Sequence, residues 1–305
     1  MISPQSMLFF PKKNRDIYNK FLRNPSKSKF LELIKKGLIP RPHYALGLIL
    51  SAEQAINLGY KSIKVIELGC FNFDGVIDLE HYASDIKKFI NIDIQIYGFT
   101  LKSGLPKNNQ NSFDRLYRWS PDEFSYSRKQ NYKNIKKSKI YFGNVKDTIP
   151  KFKKDIKKKI TESPIGFIIF DLDFYTSTKK ALSLLKMNEN SYIPRPYLYF
   201  DDHSFSSKYE GERKAIMEFN SKEKNKISDI GEFAEQLSIL WSKWIYLGKR
   251  FKQISFFKHK SGLFSKSYDL EIGILNPDDH NIDYFKFYER KLSDLGTKGY
   301  DYNVV

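Results

Sequence analysis

Cysteine is almost missing from this sequence. Cys70 is the only one in 305 residues, which excludes a disulfide within the chain and any metal cluster built on several thiolates. That usage predicts a reducing, cytoplasmic setting. Long apolar runs are missing as well. The run "MLFF" near the start is far too short for a secretory signal, and no stretch approaches the roughly 20 apolar residues that span a bilayer, so a soluble protein with no membrane span is expected. Internal repeats and low-complexity linkers are also lacking. At 41% apolar and 16% aromatic composition the chain can bury a full core without a staple.

Acidic residues are outnumbered, 35 against 52 basic ones, for a formal net charge of +17. Such an excess invites nucleic acid, because cationic side chains on phosphates supply most non-specific affinity. The distribution argues otherwise. Lysine outnumbers arginine roughly four to one and is spread from end to end, whereas arginine is the better fork for phosphates and base edges. In "IPKFKKDIKKKI", Ile149, Phe152, Ile156 and Ile160 form one helical stripe with lysines on the remaining faces, the pattern of a solvated surface helix. No specific nucleic-acid partner is expected.

Strand and helix patterns alternate. A buried helix is predicted over 45–59 and another over 76–90, with strands in "SIKVIE", "IQIYGF", "KIYFG", "IGFIIFD", "YLYFDD", "KQISFFK" and "LEIGIL". Strands apolar on both parities suit a sheet covered on both faces. The expected fold is therefore α/β: a Rossmann-like, doubly wound, mostly parallel seven-stranded sheet with helices on both faces. An N-terminal helical extension (1–44) precedes the main domain (45–275), and a C-terminal tail (276–305) follows it. The segment 100–138 has no clear period, and a connection of that length is usually functional; its Tyr117, Trp119, Phe124 and Tyr126 suit a cover over a sugar or planar ring.

In open α/β sheets ligands collect beyond the carboxyl ends of the strands. "KVIELGCFNFDG" is such an end, where Glu67, Gly69 and the turn after them lead into a helix. The phosphate-cradling spacing of glycines is absent, since Gly75 is the next after Gly69, and Phe71 and Phe73 would obstruct a pyrophosphate. A cofactor bearing an ammonium and no phosphate fits better, and S-adenosylmethionine is the obvious one. The competing reading is an ordinary strand-to-helix turn. "FDLDFYTSTKKAL" and "LYFDDHSF" put Asp171, Asp173, Asp201 and Asp202 at neighbouring strand ends, where carboxylates repel unless a cation lies between them. Asp171, Asp201 and Asp202 are the expected ligands of a divalent ion such as Mg²⁺, with Asp173 in reserve. Helix capping is the alternative for Asp173 and Ser177.

Six stretches in order, "VIELGCFNFDG", "IYGFTLKSGLP", "YFGNVKDTIPKF", "IGFIIFDLDFYTSTKKAL", "YLYFDDHSF" and "GERKAIMEFN", resemble class I S-adenosylmethionine-dependent methyltransferases. Within that class the chain is similar to the macrocin O-methyltransferase (TylF-like) group and related bacterial proteins, over about residues 40–220. The resemblance implies that Glu67, Gly69, Cys70 and Phe71 hold the methionine end of the cofactor. Thr100 stands where an acid normally bonds the ribose hydroxyls, and Asn144 where an Asp commonly lies near the adenine. Asp171, Asp201 and Asp202 map to the metal ligands of metal-dependent relatives, and Phe174 replaces the lysine base of catechol-type enzymes.

The expected activity is O-methylation of a small-molecule or saccharide hydroxyl. A divalent ion would lower the hydroxyl pKa, with Asp171 in the catalytic constellation and His203 as candidate general base. A homo-oligomer stays open. So do two other classes: a degenerate methyltransferase fold used as a binding scaffold, and, less favoured, a nucleic-acid methyltransferase, for which the chain lacks a base-flipping motif.

Overall fold

A computed structural model of the chain describes residues 11–106, 111–114, 132–157, 162–203, 207–230 and 251–254. Its centre is one seven-stranded sheet: β1 (Ser62–Leu68), β2 (Asp93–Thr100), β3 (Lys139–Phe142), β4 (Ile165–Phe170), β5 (Tyr192–Phe200), β6 (Ile227–Asp229) and β7 (Phe251–Ile254). The spatial order is β3-β2-β1-β4-β5-β7-β6, and β7 alone runs antiparallel to its neighbours. The doubly wound α/β fold is thus present, with its order reversing between β1 and β4, where a crevice opens.

Among the described residues seven α-helices dress the sheet: α1 (Lys12–Arg23), α2 (Lys27–Lys35), α3 (Pro42–Asn57), α4 (Asp74–Ile86), α5 (Val145–Ile156), α6 (Tyr175–Ala181) and α7 (Gly211–Lys222). Strand alternation feeds two separate apolar clusters. Val65, Phe167, Ile169 and Tyr199 pack with α1 to α4, while Ile66, Leu68, Ile168, Phe170, Leu198 and Phe200 pack with α5 to α7. Both faces are covered, so β1 and β4 are buried almost without a break and carry apolar residues on both parities.

The stretch 1–44 set apart in the sequence sends Tyr18, Phe21, Phe30, Leu33 and Ile34 into the first of these clusters. Helix α5 starts at Val145, earlier than its apolar stripe suggests, because Asn144 caps it; Ile149, Phe152 and Ile156 are buried as expected, and Ile160 lies outside the described residues. Strand β5 begins at Tyr192 although Pro194 and Pro196 follow. The register jumps from Ile165↔Tyr192 to Phe167↔Tyr197, so the prolines occupy the excess chain of a bulge and withhold no ladder bond. Strand β6, three residues long, carries no pattern a sequence reading could find. The expected strand "LEIGIL" and the tail 276–305 lie outside the described residues. No helix among the described residues is long and apolar enough to cross a membrane.

Candidate active site

The crevice at the strand-order reversal is a cavity of about 430 Å³, within the range of small-molecule sites. The ends of β1, β2, β4 and β5 and the starts of α4 and α5 line it. Backbone bonds tie these ends together: the Gly69 N–H donates to Phe99 O at 2.9 Å, Asp171 N–H to Leu68 O at 2.8 Å, and Asp201 N–H to Phe170 O at 2.9 Å.

Glu67 points in from β1 and is 3% exposed. Its Oε1 accepts from the Tyr44 hydroxyl at 3.2 Å, while Oε2 is buried with no hydrogen-bond partner. Burial lifts its pKa to about 7, against the opposing pull of Arg41 and the Tyr44 hydrogen bond. Two glycines make this geometry possible. A Cβ on Gly69, whose φ is +107°, would sit 1.6 Å from Asp171 O, and one on Gly75 would sit 2.1 Å from Glu67 Oε1. Gly69 therefore serves the close approach of the β4 loop to the β1 turn, and Gly75 makes room for the Glu67 carboxylate. Gly75→Ala is expected to push Glu67 out of place and to weaken any ligand held by that carboxylate about tenfold or more; a ligand titration of the folded variant checks this.

The phenylalanines of the same turn divide the work. Phe73 adopts φ +62° at the N-cap of α4, is 1% exposed, and packs its ring against Tyr132 and Phe142 at 5.6 and 6.2 Å. Phe71 is half-exposed at the cavity mouth. Cys70 departs from expectation: its Sγ is buried and donates to Glu67 O at 3.4 Å, its N–H is taken by Phe99 O, and it is not among the lining residues. It is a core residue. Thr100 and Asn144 do line the cavity. Asn144 is already engaged, since its Oδ1 accepts from Lys146 N at 3.0 Å as the cap of α5, which leaves its amide NH₂ for a ligand.

Arg41 was not singled out by the sequence reading. It sits in a left-handed conformation immediately before Pro42, φ 39° and ψ 59°, although a residue before proline favours extended backbone. Such strain persists where surroundings enforce it. Asp78, fully buried, receives the Arg41 Nη1 at 2.8 Å, and the guanidinium faces the cavity beside Glu67. An acid and a base on the same wall match a ligand that carries both an ammonium and a carboxylate.

The wall at the ends of β4 and β5 is acidic. Asp171, Asp173, Asp201 and Asp202 line it together, as the sequence predicts. The Asp171 carboxyl is held well above the usual carboxylate range by burial, then by Asp201, Asp173, Glu67 and Asp202. Tyr199 donates to Asp201 Oδ1 at 2.9 Å. The N-cap of α6 is Phe174, and the first-turn amide of Thr176 is bonded by Asp114 Oδ1 at 2.7 Å. Asp173 itself has φ +58°. The metal expectation also changes. Among the described residues no group of three or more His, Cys, Asp or Glu side chains is arranged to hold a metal ion, so Asp171, Asp201 and Asp202 share a wall without converging on a common point. His203, expected as a base, is half-buried and does not line the cavity.

Two acids, Asp114 buried and Glu80 half-buried, anchor the long connection between β2 and β3. Asp114 bonds both N–H and hydroxyl of Thr176, and Glu80 accepts from the amides of Lys136, Lys137 and Ser138 and from the Ser138 hydroxyl. Leu101, Leu105 and Pro106 at its start line the cavity. The aromatic residues Tyr117, Trp119, Phe124 and Tyr126 lie outside the described residues.

Solved methyltransferases resemble this chain. Calicheamicin methyltransferase CalS11 is 17% identical, with 76% of this chain and 90% of that one covered and a TM-score of 0.44. Plantazolicin methyltransferase BpumL, solved with SAH, is 8% identical over 82% and 93%, with a TM-score of 0.32. No protein-family profile matches the chain, and no curated protein matches its sequence.

Proposed function

We propose that the chain is an S-adenosylmethionine-dependent methyltransferase acting on a hydroxyl oxygen of a small molecule or saccharide. The observation that carries this reading is the buried Glu67 carboxylate, whose Oε2 has no hydrogen-bond partner, in a cavity at the reversal of strand order. A buried carboxylate oxygen left unsatisfied is costly, and a ligand ammonium removes that cost. The Arg41 guanidinium beside it suits the ligand carboxylate. The positions of Gly69 and Gly75 are spent on packing, so the turn offers no pyrophosphate cradle and a dinucleotide is disfavoured.

When bound, the donor supplies a methyl group made electrophilic by its sulfonium. Glu67 and Arg41 hold the amino-acid end, Asn144 offers its amide NH₂ to the adenine edge, and the Phe73, Tyr132 and Phe142 cluster supports that side of the cavity. Asp171, one strand away from Glu67, accepts the hydroxyl proton as the oxygen–carbon bond forms and the carbon–sulfur bond breaks. Its raised pKa makes its carboxylate a stronger base than an exposed aspartate. No step is assigned to Mg²⁺, because among the described residues the carboxylates do not form a ligand set.

Calorimetric titration with S-adenosylmethionine tests the proposal, with NAD as comparison. Saturable donor binding is expected; none, or binding of NAD instead, would sink it and leave a binding scaffold. Thr100 adds a quantitative check. An acid at that strand end would accept from two ribose hydroxyls, so Thr100→Asp is expected to tighten donor binding roughly tenfold. Weaker binding would place the ribose elsewhere.

A further inference from the structure

We propose that Asp78 is a positioning residue for the methyl donor: it fixes the Arg41 guanidinium at the cavity wall, so that the site takes a complete α-amino acid end, ammonium and carboxylate together. This deepens the methyltransferase reading and rests on it. Among the described residues Arg41 is the one cationic side chain that lines the cavity, so a ligand carboxylate has one place to go. Asp78 occupies one prong of its fork, Nη1 at 2.8 Å. A guanidinium carries five N–H donors in a fixed plane, and those left over meet a second carboxylate without releasing the first.

A buried ion pair also serves packing alone, and two observations point past that role. The first is lopsided burial. The Asp78 side chain is 0% exposed and that of Arg41 33% exposed, so the acid is sunk behind the wall while the guanidinium keeps a face toward the cavity. The second is the grip of α4 on two successive residues. Asp78 and Tyr82 stand four apart on one face of that helix; the Tyr82 hydroxyl donates to Pro40 O at 2.5 Å, and Asp78 receives the Arg41 side chain. Between these bonds Arg41 is kept left-handed before Pro42, a conformation that a residue before proline avoids unless its surroundings impose it. The same backbone starts α3. The Tyr44 N–H donates to Arg41 O at 2.9 Å, and its hydroxyl donates to Glu67 Oε1 at 3.2 Å. A continuous path of bonds thus runs from Asp78 through Arg41 and Tyr44 to Glu67, fixing the base for the carboxylate and the acid for the ammonium relative to each other. An α-amino acid carries both charges on one carbon, so the preorganised pair selects it. A ligand with the ammonium alone would satisfy Glu67 and leave Arg41 idle.

The full-length protein is titrated by calorimetry with S-adenosylhomocysteine and with its decarboxylated analogue, which keeps the ammonium and lacks the carboxylate. Binding of neither overturns the methyltransferase reading and this inference with it. The wild type is expected to bind S-adenosylhomocysteine about tenfold or more tighter than the analogue, as a charge-assisted contact implies. Equal affinities, or a preference for the analogue, overturn the inference and leave the methyltransferase reading in place. Asp78→Leu, close in shape but without an acceptor, is expected to cut the preference about tenfold while changing affinity for the analogue by no more than about twofold. An Asp78 that served packing alone would weaken both ligands alike; that result, or a preference left intact, overturns the inference. Arg41→Lys decides the question if Asp78→Leu does not fold. Lysine keeps the charge and can pair with Asp78 but has no second prong, so the preference is expected to fall here too, and a wild-type preference in this variant overturns the inference.

Discussion

Glu67→Gln is expected to reduce S-adenosylmethionine affinity by about a hundredfold, because it removes one partner of a buried, charge-assisted contact. The same substitution is expected to stabilise the donor-free protein at pH 8. The two effects share one cause. Burial raises the Glu67 pKa to about 7, so between about 4.5 and 7 the folded protein holds a proton that the unfolded chain has lost. A raised acid pKa contributes stability that is complete below the unfolded value and lost as pH rises through the folded one. By pH 8 that loss is on the order of 3 kcal/mol for this group. Glutamine cannot ionise and keeps an acceptor for the Tyr44 hydroxyl, at the lesser cost of one buried NH₂ group. Melting curves of wild type and variant at pH 6 and pH 8 should therefore cross, with the variant the more stable at pH 8. Wild-type donor affinity should rise with pH toward 7, by up to tenfold per unit, since Glu67 must lose its proton to meet the ammonium. A variant that is less stable at both pH values, or that binds the donor normally, would remove Glu67 from the site.

What could be read in the sequence is what depends on period and strand ends. Apolar residues on both parities of β1 and β4 announce a sheet covered on both faces, and the acids at those ends locate the cavity before any coordinates are seen. What stayed hidden depends on distance across the fold. Arg41 lies in a segment that looked peripheral, and it joins Glu67 in the cavity lining because α3 packs over β1 and β4. Glu212 sits in the first turn of a helix whose stripe reads as ordinary surface, and its complete burial is a tertiary fact. Asp114 and Glu80 cap elements 62 and 56 to 58 residues away, which no local pattern signals. The reverse errors have the same origin. Cys70 follows Gly69 at the start of the turn, but the turn directs its side chain into the core. The carboxylates at 171, 201 and 202 have the chemistry of a metal site without its convergence.

Asp171 and His203 make opposite predictions about turnover. If Asp171 accepts the hydroxyl proton, Asp171→Asn is expected to lower kcat by about a hundredfold to ten-thousandfold, the usual worth of a positioned base. Donor affinity should change far less, since Glu67 and Arg41 carry the amino-acid end. The variant should also melt no lower than wild type without ligand, because asparagine removes one charge from a wall where Asp201, Asp173, Glu67 and Asp202 act on Asp171. His203→Ala is expected to leave kcat within a few-fold, as its side chain does not line the cavity. The pair separates a base from a bystander, and donor titration separates either from a folding defect. A collapse of kcat in His203→Ala with Asp171→Asn active would return the proton to the histidine.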